Sequence, residues 1–175
     1  MTRIRASKGS QSLYNFFDMP EESTEKKKVF VNLDNARTKE QSEVMEKIKQ
    51  DGVCPFCIEH FRKYHRRPIL KETDWWVVTE NMSPYEGSRV HYIFVYKPKH
   101  ITLPSELSHE AMVDLFTLLD WAAQETEIIG GSFLMRFGDT RYNGASVDHL
   151  HAHLITGGEG GPDKERIKMK LGFKL

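Results

Sequence analysis

Three histidines alternate with apolar residues over positions 147–155, in the run Val-Asp-His-Leu-His-Ala-His-Leu-Ile. Successive side chains of a β-strand point to opposite faces of the sheet, so an extended backbone places His149, His151 and His153 on one face. Their apolar neighbours lie on the other face: Leu150, Ala152 and Leu154. The pattern therefore predicts a strand that packs one face into a core and presents three imidazoles on the other.

Imidazoles at this spacing indicate chemistry on an anion or a metal. Alternate residues of a strand lie about 7 Å apart, close enough for neighbouring rings to hold one phosphate group. Neutral imidazole is the side chain best suited to nucleophilic attack or proton transfer near pH 7. A half-exposed strand that is rich in histidine by chance is the alternative interpretation.

The composition excludes several other kinds of protein. The 175 residues carry 25 basic and 25 acidic side chains, so no net positive charge attracts nucleic acid or an anionic membrane. No apolar run reaches the ~20 residues of a transmembrane helix, and the first residues lack the apolar segment of a signal peptide. We therefore expect one domain core, a cytoplasmic location, no nucleic-acid partner and no membrane contact.

Local signals predict the order of helices and strands. Residues 1–28 are polar and charged and are typical of an arm. We expect helices over 38–50 and 57–65, strands over 75–79 and 91–96, a long helix that Ser108 caps and Gly130-Gly131 ends, and a strand over 132–137. The apolar positions of the long helix predict that its core-facing stripe is Met112, Leu115, Phe116, Leu119 and Ala123. Together with the histidine strand, these elements predict an α+β domain with an antiparallel sheet of about five strands and a long helix packed on it.

The histidine run resembles the signature of the histidine triad (HIT) superfamily of nucleotide hydrolases and nucleotidyl transferases, His-φ-His-φ-His-φ-φ with φ apolar. Residues 149–155 fit it at every position. A Cys-x-x-Cys pair before the first core strand, a Lys-Pro-Lys-His-Ile segment at 97–101 and the long helix agree in order with zinc-knuckle-bearing bacterial-type members. The resemblance covers about residues 51–157, which leaves a partly helical N-terminal extension over 1–50 and a C-terminal tail over 158–175.

The resemblance implies an enzyme that cleaves a nucleotide at its α-phosphate through a nucleotidyl-histidine intermediate. His151 would be the nucleophile, held in its reactive tautomer by the backbone carbonyl of His149. His153 and Ser146 would contact the phosphate oxygens or the leaving group. Backbone N–H groups of the turn at Asn143, Gly144 and Ala145 are candidates for an anion-binding nest.

One position differs from the family pattern, and two others are candidates for binding the nucleoside. Gly138 stands where family members commonly carry Asn or Gln, whose side-chain amide contacts the phosphate or the ribose. In this chain the contact is missing or is made by Asp139, Thr140 or Arg136. In the segment that corresponds to the ribose site, Asn81 would bind the ribose hydroxyls and Met82 would pack against the base.

The two cysteines, Cys54 and Cys57, predict metal ligation or redox chemistry in a reducing compartment. They supply half of a tetrahedral zinc site. Local histidines, His60 or His65, are one source of the other half; the resemblance instead implies His100 and His149. Such a zinc ion would be structural and would not activate water.

The sequence is compatible with three functions. The first is a hydrolase or transferase acting on a dinucleoside polyphosphate or a nucleoside phosphoramidate. The second is a zinc-stabilised nucleotide-binding or interaction module with vestigial catalysis, and the third is a metal-dependent enzyme that uses all three strand histidines as ligands. The resemblance also implies a homodimer.

Overall fold

The first helix begins and ends where local sequence signals place its ends. In the computed structural model, which describes residues 28–174, helix α1 spans Lys39–Asp51. The Thr38 hydroxyl accepts a hydrogen bond from the N–H of Gln41 (3.1 Å), and Gly52 ends the helix in the left-handed conformation at φ +67°. The helix predicted over 38–50 is confirmed. Of the arm predicted over 1–28, residues 1–27 lie outside the described residues.

Three more helices and five strands follow α1. The helices are α2 (Ile58–Tyr64), α3 (His109–Glu125) and α4 (Thr140–Asn143), and the strands are β1 (Ile69–Glu72), β2 (Trp76–Glu80), β3 (Val90–Tyr96), β4 (Ser132–Arg136) and β5 (His151–Thr156). Short 3₁₀ turns lie at Leu33–Asn35 and Pro104–Glu106. None of the helices in residues 28–174 is long and apolar enough to cross a lipid bilayer.

The strands form one antiparallel sheet in the order β1-β2-β3-β5-β4. This confirms the predicted α+β class with an antiparallel five-stranded sheet. Strand β1 was not among the predicted strands, because most of its side chains are polar or exposed and its pairing with β2 gives it an extended conformation. Strand β5 begins at His151, two residues after His149, which the histidine pattern places within the strand.

Helix α3 packs on the sheet face opposite the histidines. The core on this side contains Trp76, Val78, Phe94, Tyr96, Leu150, Ala152 and Leu154 from the sheet side and Ala111, Leu115, Leu118 and Ala122 from the helix. The small side chains at 111 and 122 let the helix approach closely, and the indole N–H of Trp76 donates to the carbonyl of Ala111 (2.8 Å).

The predicted core stripe of α3 is therefore partly wrong. Leu115 is buried, but Met112 and Phe116 are 40% and 63% exposed. The helix carries apolar residues on two adjacent stripes, and only the contact with the sheet decides which of them is buried. The helix also ends at Glu125, before the glycine pair at 130–131 that was expected to end it.

The histidine face of the sheet is covered as well. Helix α2 packs Phe61 against Val77, Ile93 and Val95. The segment around α1 forms a second cluster of Val31, Met45, Ile48 and Tyr64 with Val147 packed against it, and Val31 pairs with Val147 as an isolated β-bridge. The histidines therefore lie at the floor of clefts beneath α1 and α2.

Candidate active site and metal centre

His151 is the first residue of β5 and is 4% exposed. Its Nδ1 lies 2.6 Å from the backbone carbonyl oxygen of His149, so Nδ1 carries the proton and donates it to this oxygen. Burial lowers the pKa of His151 to about 4, which keeps the ring neutral at pH 7. The arrangement leaves Nε2 with a free lone pair, as a nucleophilic imidazole requires.

His153 lies two residues further along the same face, its ring centroid 4.9 Å from that of His151. Nδ1 of His153 lies 3.0 Å from Nε2 of His91 on the neighbouring strand β3. Nε2 of His153 is fully buried and has no hydrogen-bond partner among the described residues. His153 therefore has one unused polar atom beside the candidate nucleophile.

Two cavities meet at this face of the sheet. The larger, about 270 Å³, is mostly apolar and is lined by residues that include Val44, Met45 and Ile48 of α1 together with Phe56, Asn81, Met82 and Ser146. The smaller, about 90 Å³, is called the histidine cavity because His151 and His153 line it. Its other lining residues include Arg37, Asn81, Tyr85, Arg136, Gly144, Ala145 and Ser146. Asn81 and Ser146 line both cavities, so a ligand that spans them would pass these two side chains.

The candidate nucleoside residues occupy the larger cavity. The Oδ1 atom of Asn81 accepts a hydrogen bond from the N–H of Ser83 (2.8 Å), which fixes the amide beside the His91 ring. Met82 lies at the same cavity wall, where its sulfur accepts from the N–H of Arg66 (3.4 Å). The structure thus places both residues where an apolar ring could be enclosed.

The turn at 143–145 is held by its own side chain. Oδ1 of Asn143 accepts from the N–H of Ala145 (2.7 Å), and Nδ2 of Asn143 donates to the carbonyl of Phe137 (2.6 Å). Gly144 adopts φ +68°, a conformation that favours glycine. The N–H of Ala145 is therefore engaged within the turn, and the anion nest stays a prediction.

Asp139 lies apart from the histidine cavity. Its carboxylate binds the guanidinium of Arg141 (2.5 Å), and it lines a separate cavity with Thr140. Among the three residues considered as replacements for the contact missing at Gly138, Arg136 alone lines the cavity of His151 and His153.

Four side chains converge on a second centre next to the first. The ligand atoms of Cys54, Cys57, His100 and His149 all lie within 4.8 Å of one another. Nδ1 of His149 is 3.3 Å from Sγ of Cys54 and 3.8 Å from Sγ of Cys57, and Nδ1 of His100 is 3.7 Å from Sγ of Cys57. Among residues 28–174, this is the one group of three or more His, Cys, Asp or Glu with such a geometry.

The spacing of this cluster fits a tetrahedral ion. Zinc bonds of about 2.3 Å to sulfur and 2.0–2.1 Å to nitrogen put adjacent ligand atoms about 3.6 Å apart. Nε2 of His149 donates to the carbonyl of Tyr96 (2.7 Å), which leaves Nδ1 unprotonated toward the cysteines. Burial raises the pKa of the Cys54 thiol to about 12, so a bound cation is what would hold it as a thiolate.

The local alternative for the metal is not assembled. Nε2 of His65 lies 2.9 Å from the hydroxyl of Thr79, and its ring stacks on Phe61. His60 lies beside Glu59 on α2. Neither histidine belongs to the cysteine cluster. Because His149 faces the cysteines, the three strand histidines also do not converge on one ion.

Several residues of the site were not predicted from the sequence. Asn35, Arg37 and Gln41 come from the segment before the resembling region, and Tyr85, His91 and Lys170 come from loops, β3 and the tail. The alternation of side chains along β3 indicates the position of His91. His91 lies on the same face of the sheet as Ile93, and Ile93 pairs with His153. For Arg37 we find no local sequence signal.

No model of a known protein family matches the sequence. A search of curated proteins likewise gives no match. Solved structures do match: a HIT family hydrolase from Clostridium thermocellum superposes with a TM-score of 0.50 at 23% identity, over 63% of this chain and 95% of that chain. A hypothetical protein from Leishmania major superposes with a TM-score of 0.51 at 20% identity, over 70% of this chain and 82% of that one. The chain has the fold of the histidine triad proteins, as its histidine strand predicted.

Proposed function

We propose that the protein is a nucleotide hydrolase or nucleotidyl transferase that cleaves a dinucleoside polyphosphate or a nucleoside phosphoramidate at its α-phosphate. One observation carries the proposal: the 2.6 Å contact between Nδ1 of His151 and the carbonyl of His149. This contact holds a neutral imidazole with its Nε2 lone pair available at a cavity that contains a second histidine.

The reaction proceeds in two balanced steps. In the first, Nε2 of His151 forms a bond to the α-phosphorus, the bond to the leaving group breaks, and the leaving group keeps its electron pair. In the second, a water oxygen forms a bond to phosphorus and gives up one proton to solvent, the phosphorus–nitrogen bond breaks with its electron pair returning to Nε2, and a nucleoside monophosphate is released. An alcohol or other acceptor in place of water makes the same protein a transferase. The imidazolium formed in the first step is stabilised by the His149 carbonyl, which accepts a hydrogen bond from its Nδ1–H throughout.

The two cavities divide the substrate. The nucleoside occupies the apolar cavity, where Asn81 binds the ribose and Met82 packs against the base, and the phosphates occupy the histidine cavity. Ser146 contacts the phosphate where the cavities meet, and His153 contacts phosphate oxygens or the leaving group. The contacts assigned to Asp139, Asn143, Gly144 and Ala145 stay predictions.

The cysteine cluster holds zinc in this proposal. Bound there by Cys54, Cys57, His100 and His149, the ion would supply structural cross-linking between the segment before α2 and the start of β5. His149 links the two centres, because its side chain faces the cysteines and its carbonyl orients His151. We also propose that residues 51–157 form the catalytic domain, 1–50 the extension and 158–175 the tail, with the extension contributing to both cavities.

The test is release of nucleoside monophosphate by purified protein from a panel of dinucleoside polyphosphates and nucleoside phosphoramidates. His151→Ala should abolish release, whereas His109→Ala, an exposed histidine at the start of α3, should not. Mass spectrometry of the rapidly quenched wild-type protein should show one covalently attached nucleotidyl group. Turnover that persists in His151→Ala would contradict the proposal.

One observation favours the second candidate, a nucleotide-binding module with vestigial catalysis. Gly138 has no side chain that could contact a phosphate. Its backbone is held at φ +70°, and its N–H donates to the carbonyl of Thr102 (2.8 Å), so the N–H is also engaged. Calorimetry that shows nucleotide binding, with no monophosphate released from any member of the panel, would select this candidate.

A further inference from the structure

Arg136 is a buried cation beside the candidate nucleophile. It lies directly opposite His151 in the pairing of β4 with β5 and is 6% exposed. Its guanidinium donates to the carbonyls of Asn143 and Lys170 and to the hydroxyl of Tyr85 (3.0 Å). All of these partners are neutral, so they orient the charge without balancing it.

Arg37, from the segment before α1, brings a second cation to the same cavity. Its guanidinium carbon lies 4.1 Å from the centre of the Tyr85 ring, and Nη2 donates to the carbonyl of Ser83. Nη1 is fully buried and has no partner among the described residues. Tyr85 thus joins the two arginines: one lies over its ring and the other donates to its hydroxyl.

Among the described residues, no acidic side chain lines this cavity to balance these charges. The residues that line it include no aspartate or glutamate, and no carboxylate in residues 28–174 forms a salt bridge with Arg37 or Arg136. Burial and the nearby Arg136 both lower the pKa of Arg37. Arg136 is buried and Arg37 is half-buried, and cations removed from water in this way destabilise a fold unless an anion pairs with them.

We propose that Arg37 and Arg136 form a second phosphate subsite, so that the leaving group of the substrate is a phosphate chain and not an amine. This inference rests on the proposed function and narrows its substrate class to the dinucleoside polyphosphates. The α-phosphate lies at His151, and the next phosphate lies between the two guanidinium groups, which bind phosphate oxygens as charge-assisted donors.

The chemistry of the leaving group agrees with this charge pattern. When Nε2 of His151 bonds to the α-phosphorus, the bridging oxygen keeps the electron pair of the broken bond and leaves as part of an anionic phosphate chain. Fixed positive charge at that oxygen stabilises the transition state. An amine leaving group instead needs a proton, and a guanidinium group keeps its protons at pH 7 and does not supply one.

The binding arm of the test uses inorganic pyrophosphate, which contains no base and requires no turnover. Wild-type protein and Arg37→Met are compared by calorimetry, with Arg62→Met as the matched control because Arg62 is 74% exposed and lines neither cavity. We expect pyrophosphate to bind about 10- to 100-fold more weakly to Arg37→Met, the factor for one lost charge-assisted hydrogen bond. Arg37→Lys should bind with intermediate affinity.

The kinetic arm compares diadenosine triphosphate with adenosine 5′-phosphoramidate. We expect Arg37→Met to lower the ratio of kcat/KM for the first to that for the second by about 10-fold or more, with the ratio unchanged in Arg62→Met. Equal pyrophosphate affinity in wild type and Arg37→Met, or an unchanged ratio, overturns the subsite.

The two proposals fail in different ways. Release of monophosphate that depends on His151 but with an unchanged ratio in Arg37→Met removes the subsite and keeps the enzyme. Absence of release from every substrate removes the enzyme, and the pyrophosphate affinities still decide whether Arg37 binds phosphate. Circular dichroism and zinc content of Arg37→Met establish that it folds.

Discussion

Nε2 of His91 lies 3.0 Å from Nδ1 of His153, and this contact sets where the proton of His153 resides. The backbone N–H of Tyr85 donates to Nδ1 of His91 (3.1 Å), so neutral His91 carries its proton on Nε2. Nε2 of His91 has two close neighbours, Nδ1 of His153 and Nδ2 of Asn81 (2.9 Å), and only the histidine nitrogen can accept, because an amide nitrogen is a donor. The Nε2–H of His91 therefore donates to Nδ1 of His153, which leaves the proton of His153 on Nε2. His151 has the opposite tautomer, so the two neighbouring rings present a lone pair and a proton to one cavity.

Replacement of His91 tests this arrangement. His91→Leu removes the donor to His153 and leaves the buried N–H of Tyr85 unpaired, so His153 loses its preference for the tautomer that donates from Nε2. We expect kcat to fall about 10- to 100-fold with a smaller change in KM. The fall should be larger for a substrate with an amine leaving group than for one with a phosphate leaving group, because the amine needs the proton that Nε2 of His153 donates. His91→Gln can both accept from Tyr85 and donate to His153 and should restore part of the rate. Equal losses in Leu and Gln variants would indicate a packing role only.

Local sequence signals were sufficient for the elements that carry the chemistry. The alternation around His151 determines which side chains share a face, because that periodicity is a property of one strand and needs no partner. Thr38 and Gly52 similarly define the ends of α1 through bonds and dihedral angles within a few residues. The cysteine cluster was implied by the resemblance and not by spacing, since His100 lies 43 residues from Cys57.

The remaining features depend on contacts between distant parts of the chain. Phe116 and Leu115 are equally apolar, and only the sheet beneath α3 makes one buried and the other exposed. Arg37 reaches the histidines because Val31 pairs with Val147, a contact over more than a hundred residues. The histidine motif does not predict the proposed phosphate subsite, because one of its two arginines lies outside the region that resembles the family.

Metal analysis tests the cysteine cluster. We expect about one zinc ion per chain, and loss of zinc in Cys57→Ser and His100→Ala. Because the cluster joins the segment before α2 to the start of β5, its loss should cost on the order of 5 kcal/mol and lower Tm by roughly 10–20 °C. His60→Ala is the matched control, since His60 lies on α2 close to Cys57 but outside the cluster. Retention of zinc in His100→Ala with its loss in His60→Ala would assign the site to the local histidine instead.

The buried His65 predicts a dependence of stability on pH. Burial lowers its pKa to about 4 from an ordinary 6.5, so between these values the unfolded chain binds the proton and the folded chain does not. The free energy of unfolding should therefore fall as pH decreases from about 6.5 toward 4, by up to about 3 kcal/mol from this residue.

Urea unfolding at pH 8, 6 and 5 measures this effect in wild type and in His65→Gln. Glutamine can still donate to the hydroxyl of Thr79 but does not titrate, so the variant should lose less stability over this range than the wild type. Parallel loss in the two proteins would assign the acid sensitivity to other groups.

The exposed stripe of α3 predicts how two copies associate. Met112 and Phe116 are exposed next to Phe133 on β4, whose ring centroid lies 6.1 Å from that of Phe116, and β4 is an edge strand of the sheet. A two-fold pairing through this edge and this stripe would cover both the unpaired backbone groups and the apolar side chains. Phe116→Asp should weaken the homodimer at least about 100-fold, since each interface loses two buried phenyl rings. Light scattering across a concentration series measures the dissociation of the dimer, and Leu70→Asp on the opposite edge strand is the control. A wild-type protein that is monomeric at every concentration would exclude this interface. A dimer that Phe116→Asp leaves intact would exclude it as well.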